Sequence, residues 1–463
     1  MSRPPLFQEH LINRYDKPGP RYTSYPPATE FNDKITESDF RDWARASNEE
    51  LIPKSLSLYF HIPFCSPICD YCACNKVITR RKQKVESYLR DLHREIEIQS
   101  QLFDRDREVR QLHWGGGTPG FLTHRQSQDL MDKIAQHFNL IREGEGEKSI
   151  EINLRILEKG GVAHLRDLGF NRISIGVHGF DEKKQKSVNL IQSLETTAAV
   201  INDARRFGIR SINIDLIYGL PGQAVESFTR TLETIVDLAP DRIAIYNYAS
   251  LPYRFAPQRQ SQAENLPELS ERLAMMNNAI ENLCAAGYEH IGMGHFARPG
   301  DELSVAQRDG SLHRNFKGYS AQVQCDSIGF GVSAISQVLD NFSQNTTSLD
   351  DYHDSLEQQR LPVIRGYESH EDDLLRREII QGVSCDFQLD KRKIGRQWNI
   401  DFDDYFADEL KRLEDMEKDG LIEMANDKIV VRAPGRLLVR NICMVFDAYQ
   451  RSGRAAGLNS RTV

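Results

Sequence analysis

Four cysteines crowd into one short stretch of the chain, and their thiols are well suited to binding a metal. Cys65, Cys69 and Cys72 form a C-x3-C-x2-C pattern, and Cys74 follows two residues after Cys72. Three thiolates from one loop can bind three irons of a [4Fe–4S] cluster and leave the fourth iron open. A zinc site that includes Cys74 is the alternative, although zinc usually takes two well-separated C-x2-C pairs. Spacing alone leaves an iron–sulfur cluster, a zinc ion and no metal open.

Two further features suggest a ligand site. Residues 115–119 read GGGTP, and glycines let the backbone approach a ligand closely and present N–H groups to an anion. A tight turn would explain this run equally well. Asp215 interrupts the apolar run INIDLIY, where a carboxylate is unfavourable unless it is paired. A ribose hydroxyl, an ammonium group or a structural salt bridge would pair it.

An alternation of strand-like and helical patterns predicts how these residues are positioned. The strand-like runs are 57–62, 109–114, 149–154, 172–177, 211–218 and 242–248. The helical patterns are 83–101, 124–138, 160–168, 191–207, 224–238 and 267–287. Such alternation is typical of a parallel sheet with helical crossovers, and six units predict a partial (β/α)6 barrel of the α/β class. The cysteine loop and the glycine run follow the first two strands, at the end where barrel chemistry occurs.

Four segments are expected along the chain. Residues 1–50 are predicted to be an arm, whose prolines between 18 and 27 favour an extended path. The barrel is assigned to 51–300 and a barrel extension with a linker to 301–365, because residues 340–370 are polar. Residues 366–463 are charged and helical, and they end in short strand-like runs, which predicts a mainly α domain resembling a winged helix.

Composition excludes several classes of protein. The chain has 463 residues, of which 40% are hydrophobic and 27% charged, so a folded globular chain is expected. We find no run of about 18 apolar residues and no secretory signal, which predicts a cytoplasmic protein without a membrane partner. A net charge of −8 disfavours nucleic-acid binding. In the cytoplasm thiols stay reduced, so the scattered cysteines are predicted to be buried apolar residues. These are Cys284, Cys325, Cys385 and Cys443.

The motifs together resemble a known family. C-x3-C-x2-C followed by GGGTP after the next strand resembles the radical S-adenosylmethionine (SAM) enzymes. A larger set resembles the oxygen-independent coproporphyrinogen III oxidases, also called coproporphyrinogen dehydrogenases, from about residue 15 to residue 450. The matching segments are 18–26 (PGPRYTSYP), 59–65 (YFHIPFC), 111–119 (QLHWGGGTP), 213–221 (NIDLIYGLP), 313–316 (HRNF), 331–336 (GVSAIS) and 435–444 (GRLLVRNICM).

This resemblance implies an oxidoreductase of heme and porphyrin biosynthesis. Two propionates of coproporphyrinogen III would be oxidatively decarboxylated to vinyls by a 5′-deoxyadenosyl radical, which gives protoporphyrinogen IX. A cellular electron donor for the cluster and an electron acceptor that the sequence does not identify are implied as partners, and we expect a monomer. Guanidinium groups bind carboxylates in a bidentate manner, so Arg21, Arg298 and Arg314 are candidates to hold the propionates.

The resemblance also implies roles for individual residues. Cys65, Cys69 and Cys72 would ligate one [4Fe–4S] cluster, and Tyr59 and Arg21 would act at the reaction centre. The family pattern places two SAM molecules in the site. The SAM at the cluster would contact Tyr59, Gly116, Glu151 and Ile335. The second SAM would contact Tyr71, Gly117, Thr118, His178, Asp215 and Ala249.

Four positions depart from the family pattern and keep other functions open. His178 stands where the family has glutamine, Leu190 where it has arginine and Gly294 where it has aspartate. Asn153 stands where an aspartate precedes a proline in the family. Weakened binding of the second SAM would favour a heme- or tetrapyrrole-binding paralogue with little turnover, or a radical SAM enzyme acting on another tetrapyrrole. The arm and the C-terminal motifs favour the oxidase.

Overall fold

The structure, a computed structural model, describes most of the chain. The described residues are 9–65, 74–79, 81–142, 145–177, 179–180, 192–249, 258, 265–321, 325–452 and 461–462. Among them, none of the helices has the length and apolarity that crossing a membrane requires.

The described strands are mostly short, and the longest of them belong to the barrel. They are β1 (Ser55–Ile62), β2 (Phe64–Cys65), β3 (Val77–Ile78), β4 (Glu108–Gly116), β5 (Asn139–Leu140), β6 (Glu147–Ile152), β7 (Arg172–Gly176), β8 (Ser211–Tyr218), β9 (Arg242–Asn247), β10 (Glu289–Gly292), β11 (His295–Ala297), β12 (His313–Asn315), β13 (Gly318–Ser320), β14 (Cys325–Phe330), β15 (Ile335–Val338), β16 (Asn341–Asn345), β17 (Val363–Tyr367), β18 (Gln388–Asp390), β19 (Ile422–Met424) and β20 (Lys428–Val431).

The described α-helices alternate with the barrel strands and then dominate the C-terminal part. They are α1 (Glu9–Tyr15), α2 (Glu37–Asn48), α3 (Lys82–Ser100), α4 (His124–His137), α5 (Gly161–Asp167), α6 (Leu194–Arg206), α7 (Val225–Leu238), α8 (Leu269–Ala285), α9 (Glu302–Asp309), α10 (Leu349–Glu357), α11 (Glu371–Gln381), α12 (Lys391–Trp398), α13 (Phe402–Tyr405), α14 (Ala407–Lys418) and α15 (Val439–Phe446).

The central sheet contains the six predicted parallel strands in sequence order. They run β1, β4, β6, β7, β8 and β9, each paired in parallel with the next. The sheet continues beyond both ends of this series. A seventh parallel strand, β14, pairs with the free side of β1, and antiparallel strands follow on each side. The predicted partial barrel is thereby confirmed.

The two faces of the barrel strands have opposite chemistry. Along β1, Leu56, Leu58 and Phe60 are fully buried in the main core, where the helices pack. The alternate residues Tyr59 and His61 face a cavity inside the barrel. Because side chains in a strand point to opposite faces in turn, each strand stabilises the core with one set and builds the site with the other.

The predicted linker is wrong, because residues 340–370 contain two strands of the central sheet and a helix. Strand β16 pairs with β15 and β17, and Phe342, Tyr352 and Leu356 are buried. The polar character of the segment misled the interpretation, since its polar groups are buried with partners. Asn345 donates to the buried Glu95 carboxylate at 2.7 Å, and the Tyr352 hydroxyl donates to it at 2.6 Å.

The C-terminal part contains the predicted helices followed by a hairpin. Strands β18, β20 and β19 form a small antiparallel sheet beside α12 and α14. The N-terminal arm packs on this part more deeply than its polar sequence suggests. Helix α1 buries Leu11 and Ile12, and Tyr22 and Tyr25 join the same apolar cluster. The proline-rich stretch between α1 and α2 contains no regular helix longer than one turn.

Candidate active site

A cavity of about 640 Å³ lies inside the partial barrel, within the size range of small-molecule sites. Its wall is formed by the inward-facing residues of the parallel strands, and residues of the β12–β13 hairpin line it too. Lys317 on this hairpin donates to Ser57 Oγ at 2.7 Å and to Gln111 Oε1 at 2.9 Å. The hairpin is therefore fixed against the first two barrel strands.

Four neighbouring side chains connect the first three barrel strands across the cavity wall. Tyr59, His113 and Ser149 occupy paired positions on β1, β4 and β6. The rings of Tyr59 and His113 stack at 5.7 Å, and His113 Nδ1 lies 2.7 Å from Ser149 Oγ. His113 Nε2 lies 3.4 Å from a carboxylate oxygen of Glu151. Burial and the nearby Glu151 hold the pKa of Tyr59 well above its usual range, so its hydroxyl stays protonated.

His61 connects this group to the segment after the cysteine loop. Its Nε2 lies 2.9 Å from the backbone carbonyl of Asn75, which can only accept, so Nε2 carries the proton. Burial lowers the pKa of His61, and the neutral ring then has Nδ1 free to accept. The Tyr59 hydroxyl, 3.1 Å away, donates to it. The orientation of the Tyr59 hydroxyl is thus fixed by His61.

The glycine run packs directly behind the start of the cysteine loop. Gly116 has a φ of +112°, and a Cβ at Gly117 would lie 2.5 Å from the carbonyl oxygen of Pro63. Only glycine fits these two positions without strain or displacement. The Gly116 N–H donates to Glu151 at 3.3 Å. Thr118 is buried, and its Oγ1 lies 3.5 Å from the Cys65 sulfur, so the loop and the run form one unit.

Asp215 lies on β8 in the wall of the same cavity. Its carboxylate accepts from Ser174 Oγ at 2.5 Å and from Asn213 Nδ2 at 3.0 Å. Burial raises its pKa to about 6, and Ser174 and Asn213 oppose that rise. No ion pair holds Asp215 among the described residues, so the structural salt bridge considered from the sequence is not found there. The carboxylate is available to a ligand hydroxyl or ammonium group.

The structure brings most of the predicted site residues together. One cavity is lined by Arg21, Tyr59, Gly116, Glu151, Asp215 and Ile335, together with Cys74. Ala249 lines an adjoining cavity that shares Arg21 with the first. Gly117, Thr118 and Cys65 lie behind the wall of the first cavity. Cys69, Tyr71, Cys72, His178 and Leu190 lie outside the described residues.

Two predictions about single residues are changed by the structure. Arg298 lines neither cavity, because its guanidinium donates to the Pro240 carbonyl and lies 5.0 Å over the Tyr288 ring. It is therefore wrong as a propionate ligand. Gly294 has a φ of +80°, and a Cβ there would lie 2.2 Å from the Ile245 carbonyl oxygen. The backbone itself excludes the aspartate that the family pattern places at this position.

Sequence reasoning missed several residues of the wall. His113 stands two residues before the glycine run, and Tyr246 stands two residues after Ala244 on β9, so strand periodicity could have placed both on the inner face. His61, two residues after Tyr59, shares that signal. The hairpin residue Lys317 has no such signal, because it is far from the barrel strands in sequence and only the folded chain brings it to them.

The residues present fit an iron–sulfur cluster with SAM beside it. Among the described residues no three metal-binding side chains come together, since Cys65 is the one described thiol of the predicted triplet. Three thiols are suitable ligands for a cluster. Gly116 has no side chain, which leaves space at the cavity wall for a ligand. Asp215 and Glu151 provide carboxylates for hydroxyl or ammonium groups.

Comparisons with known proteins identify two regions of the chain. Residues 59–235 match the radical SAM superfamily, and residues 370–438 match a family described as the HemN C-terminal domain. The first range includes five of the six parallel barrel strands, and the second includes helices α11 to α14 and the small C-terminal sheet.

Individual relatives match over almost the whole length. The oxygen-independent coproporphyrinogen III oxidase of Pseudomonas aeruginosa is 48% identical over 439 residues, 95% of each chain. The Escherichia coli protein of the same name is 45% identical over 441 residues, also 95% of each chain. A solved structure described as coproporphyrinogen III oxidase (HemN) from Escherichia coli, a radical SAM enzyme, superposes with a TM-score of 0.90 at 44% identity. It covers 96% of this chain and 99% of its own.

Proposed function

This chain belongs to the oxygen-independent coproporphyrinogen III oxidase family, and we propose that it oxidatively decarboxylates two propionates of coproporphyrinogen III to vinyls. The product is protoporphyrinogen IX. The observation that carries this proposal is the convergence of Tyr59, Gly116, Glu151 and Asp215 on one cavity, directly beside the start of the cysteine loop. A radical SAM oxidoreductase of this family needs a [4Fe–4S] cluster and SAM.

The cavity suits a reaction that must exclude water and hold a polyanionic substrate. Its inner wall is polar, and the helices packed on its outer face bury a continuous apolar core. Arg21 and Arg314 line it, and guanidinium groups bind carboxylates in a bidentate manner. We assign to these two arginines contacts with the propionates of the substrate.

Each protein residue has a distinct proposed role at the cofactors. Cys65, Cys69 and Cys72 hold the cluster through three irons. When bound beside the cluster, SAM would supply the 5′-deoxyadenosyl radical chemistry that takes a hydrogen atom from the β-carbon of a propionate. Tyr59, Gly116, Glu151 and Ile335, which line the same cavity, would contact this SAM.

The balance of the reaction defines the remaining partners. Each propionate loses one hydrogen atom, one CO2 and one further electron, and a vinyl group remains. One electron must enter the cluster from a donor for each SAM cleaved, and the electron left by the substrate passes to an acceptor. Two propionates require two SAM cleavages. We propose that a second SAM occupies the site beside Asp215 and Ala249, with Gly117, Thr118, Tyr71 and His178, and that the enzyme is a monomer.

Anaerobic turnover tests this function directly. The reconstituted protein, given SAM, a low-potential reductant, an electron acceptor and coproporphyrinogen III, should release CO2 and give protoporphyrinogen IX, with two 5′-deoxyadenosines for each product. Tyr59→Phe keeps the ring stack with His113 and removes the hydroxyl, so it should reduce turnover without loss of cluster absorbance. Binding of porphyrin without any vinyl product would contradict the proposal.

A further inference from the structure

A second, smaller cavity of about 100 Å³ adjoins the barrel cavity and is lined by five arginines. It lies between the N-terminal arm, the β9 end of the barrel and the start of α15. The two cavities share Arg21, Tyr246, His295 and Arg314, so they are neighbours through a common wall. The arginines are Arg21, Arg314, Arg436, Arg440 and Arg461.

The positive charge of this cavity is poorly balanced. No aspartate or glutamate occurs among its described lining residues, and only Arg461 has an ion pair in the described part of the chain, with Asp16 at 2.6 Å. Burial and the neighbouring Arg21 and Arg314 lower the pKa of Arg440 to about 10, so the guanidinium groups repel one another. Arg314 and Arg440 are less exposed than the other three arginines, so water screens their mutual repulsion less and an anion there would relieve it.

An unsatisfied polar atom identifies where an anion would bind. Arg314 is only 6% exposed, its Nε donates to the Arg21 carbonyl, and its buried Nη1 has no hydrogen-bond partner in the described structure. The ring of His290 also lines the cavity, and burial lowers its pKa to about 4, so it adds no positive charge. A buried donor left without a partner is rare and unfavourable, so Arg314 Nη1 indicates a ligand that accepts hydrogen bonds.

Two further arginines are free to reach the same ligand. Arg21 and Arg436 have no ion pair or side-chain hydrogen bond from their guanidinium groups among the described residues, although Arg436 lies 4.5 Å over the Phe387 ring. Arg440 differs, because its guanidinium donates to the carbonyls of Gly19, Pro20, Arg461 and Thr462. Arg440 therefore shapes the cavity, while Arg21, Arg314 and Arg436 face its ligand.

The geometry points to a carboxylate-binding subsite that holds the propionates which the reaction leaves intact. This inference rests on the proposed function. A volume of about 100 Å³ admits carboxylate groups but excludes a tetrapyrrole ring. Cys74, His61 and Gly116, which mark the cofactor end, line the barrel cavity and not this one. A tetrapyrrole whose reacting propionate points to that end therefore directs its remote propionates toward the arginines.

The methionyl carboxylate of SAM is a second possible source of the same chemistry, because Ala249 lines this cavity too. Binding measurements on the anaerobically reconstituted full chain distinguish the two. Coproporphyrin III carries all four propionates, whereas mesoporphyrin IX carries only the two that persist in the product. Fluorescence titration gives the affinity for each porphyrin, and equilibrium dialysis gives the affinity and stoichiometry for SAM.

The variants are Arg436→Gln and Arg314→Gln, with Arg432→Gln as the matched control. Loss of one charge-assisted hydrogen bond should weaken the binding of both porphyrins by the same factor, about ten-fold or more, and should leave SAM binding unchanged. Arg432 lies four residues before Arg436 and pairs with the exposed Glu423, so its replacement should change neither affinity. Arg314→Lys keeps the charge and should recover part of the loss if Arg314→Gln folds poorly.

Three results would overturn the inference. Unchanged porphyrin affinity in folded Arg436→Gln and folded Arg314→Gln would show that the arginine cavity is not a propionate subsite. A loss for coproporphyrin III alone would assign the arginines to the reacting propionates. A loss confined to SAM would assign them to its carboxylate. Turnover of the unchanged protein is measured separately, so a missing vinyl product would reject the proposed function while leaving this binding comparison intact.

Discussion

Replacing Asp215 with asparagine is expected to stabilise the fold at pH 8, although the change removes a hydrogen-bonded carboxylate. Burial raises the pKa of Asp215 from 3.8 to about 6, even with the hydrogen bonds from Ser174 and Asn213 in place. The rise is about two pH units, and at about 1.36 kcal/mol for each unit the ionised carboxylate destabilises the folded state by at most about 3 kcal/mol. Asparagine is uncharged and can still accept from Ser174.

The pH dependence identifies the cause. A carboxyl whose pKa is raised on folding destabilises the native state only when it is ionised, so the effect is complete above pH 6. It falls to about half near pH 5 and vanishes well below pH 3.8. The gain in the free energy of unfolding of Asp215→Asn over the parent should shrink accordingly. Urea unfolding of the anaerobic protein at pH 8 and pH 5 measures this difference.

Asp326 provides the control for the same chemical change. It is 1% exposed and accepts from Arg107 at 2.6 Å and from Ser47 at 2.5 Å. Asp326→Asn breaks a buried ion pair and should destabilise by about 3–5 kcal/mol. If Asp215→Asn were destabilising at pH 8, or equally stabilising at both pH values, the burial of Asp215 would not be the source of its altered pKa.

Three other changes have expected outcomes. Cys65→Ser should abolish the cluster absorbance of the reconstituted protein, whereas Cys74→Ser should retain it; the reverse pattern would reject the ligand assignment. Gly117→Ala should weaken SAM binding, because its Cβ would lie 2.5 Å from the Pro63 carbonyl oxygen. Equilibrium dialysis measures this, and wild-type affinity would show that the backbone near Pro63 shifts at little cost. Deletion of residues 1–30 should lower the midpoint of thermal unfolding by several degrees, because the arm buries apolar side chains. An unchanged midpoint would show that this burial does not stabilise the fold.

The barrel was predictable because its signal is local. Every predicted strand has an outer face of Ile, Leu, Val or aromatic residues, and the alternation with helical patterns determines the parallel order. The observed bounds of β8 equal the predicted 211–218, and those of β7 differ by one residue. Strand periodicity also contains information about the site, since His113 shares a face with Gln111 and could have been assigned to the wall.

The errors arise where distant segments meet. Residues 340–370 are polar enough for a linker, but the buried Glu95 of α3 accepts hydrogen bonds from Asn345 and Tyr352 and draws them into the core. The arm is similar, because Tyr22 donates to Asp447 from the other end of the chain. The arginine cavity likewise combines residues 21, 314, 436 and 461. No periodicity in a sequence relates positions so far apart.

The guanidinium of Arg440 has a consequence for the arginine cavity. It binds carbonyls of the arm at Gly19 and Pro20 and carbonyls near the C-terminal end at Arg461 and Thr462. Neither segment can detach without breaking bonds to the same side chain, so the two should open together in native-state hydrogen exchange, with one common opening free energy. Since Arg21 and Arg461 both line the cavity, that opening event also removes two of its arginines from the wall at once.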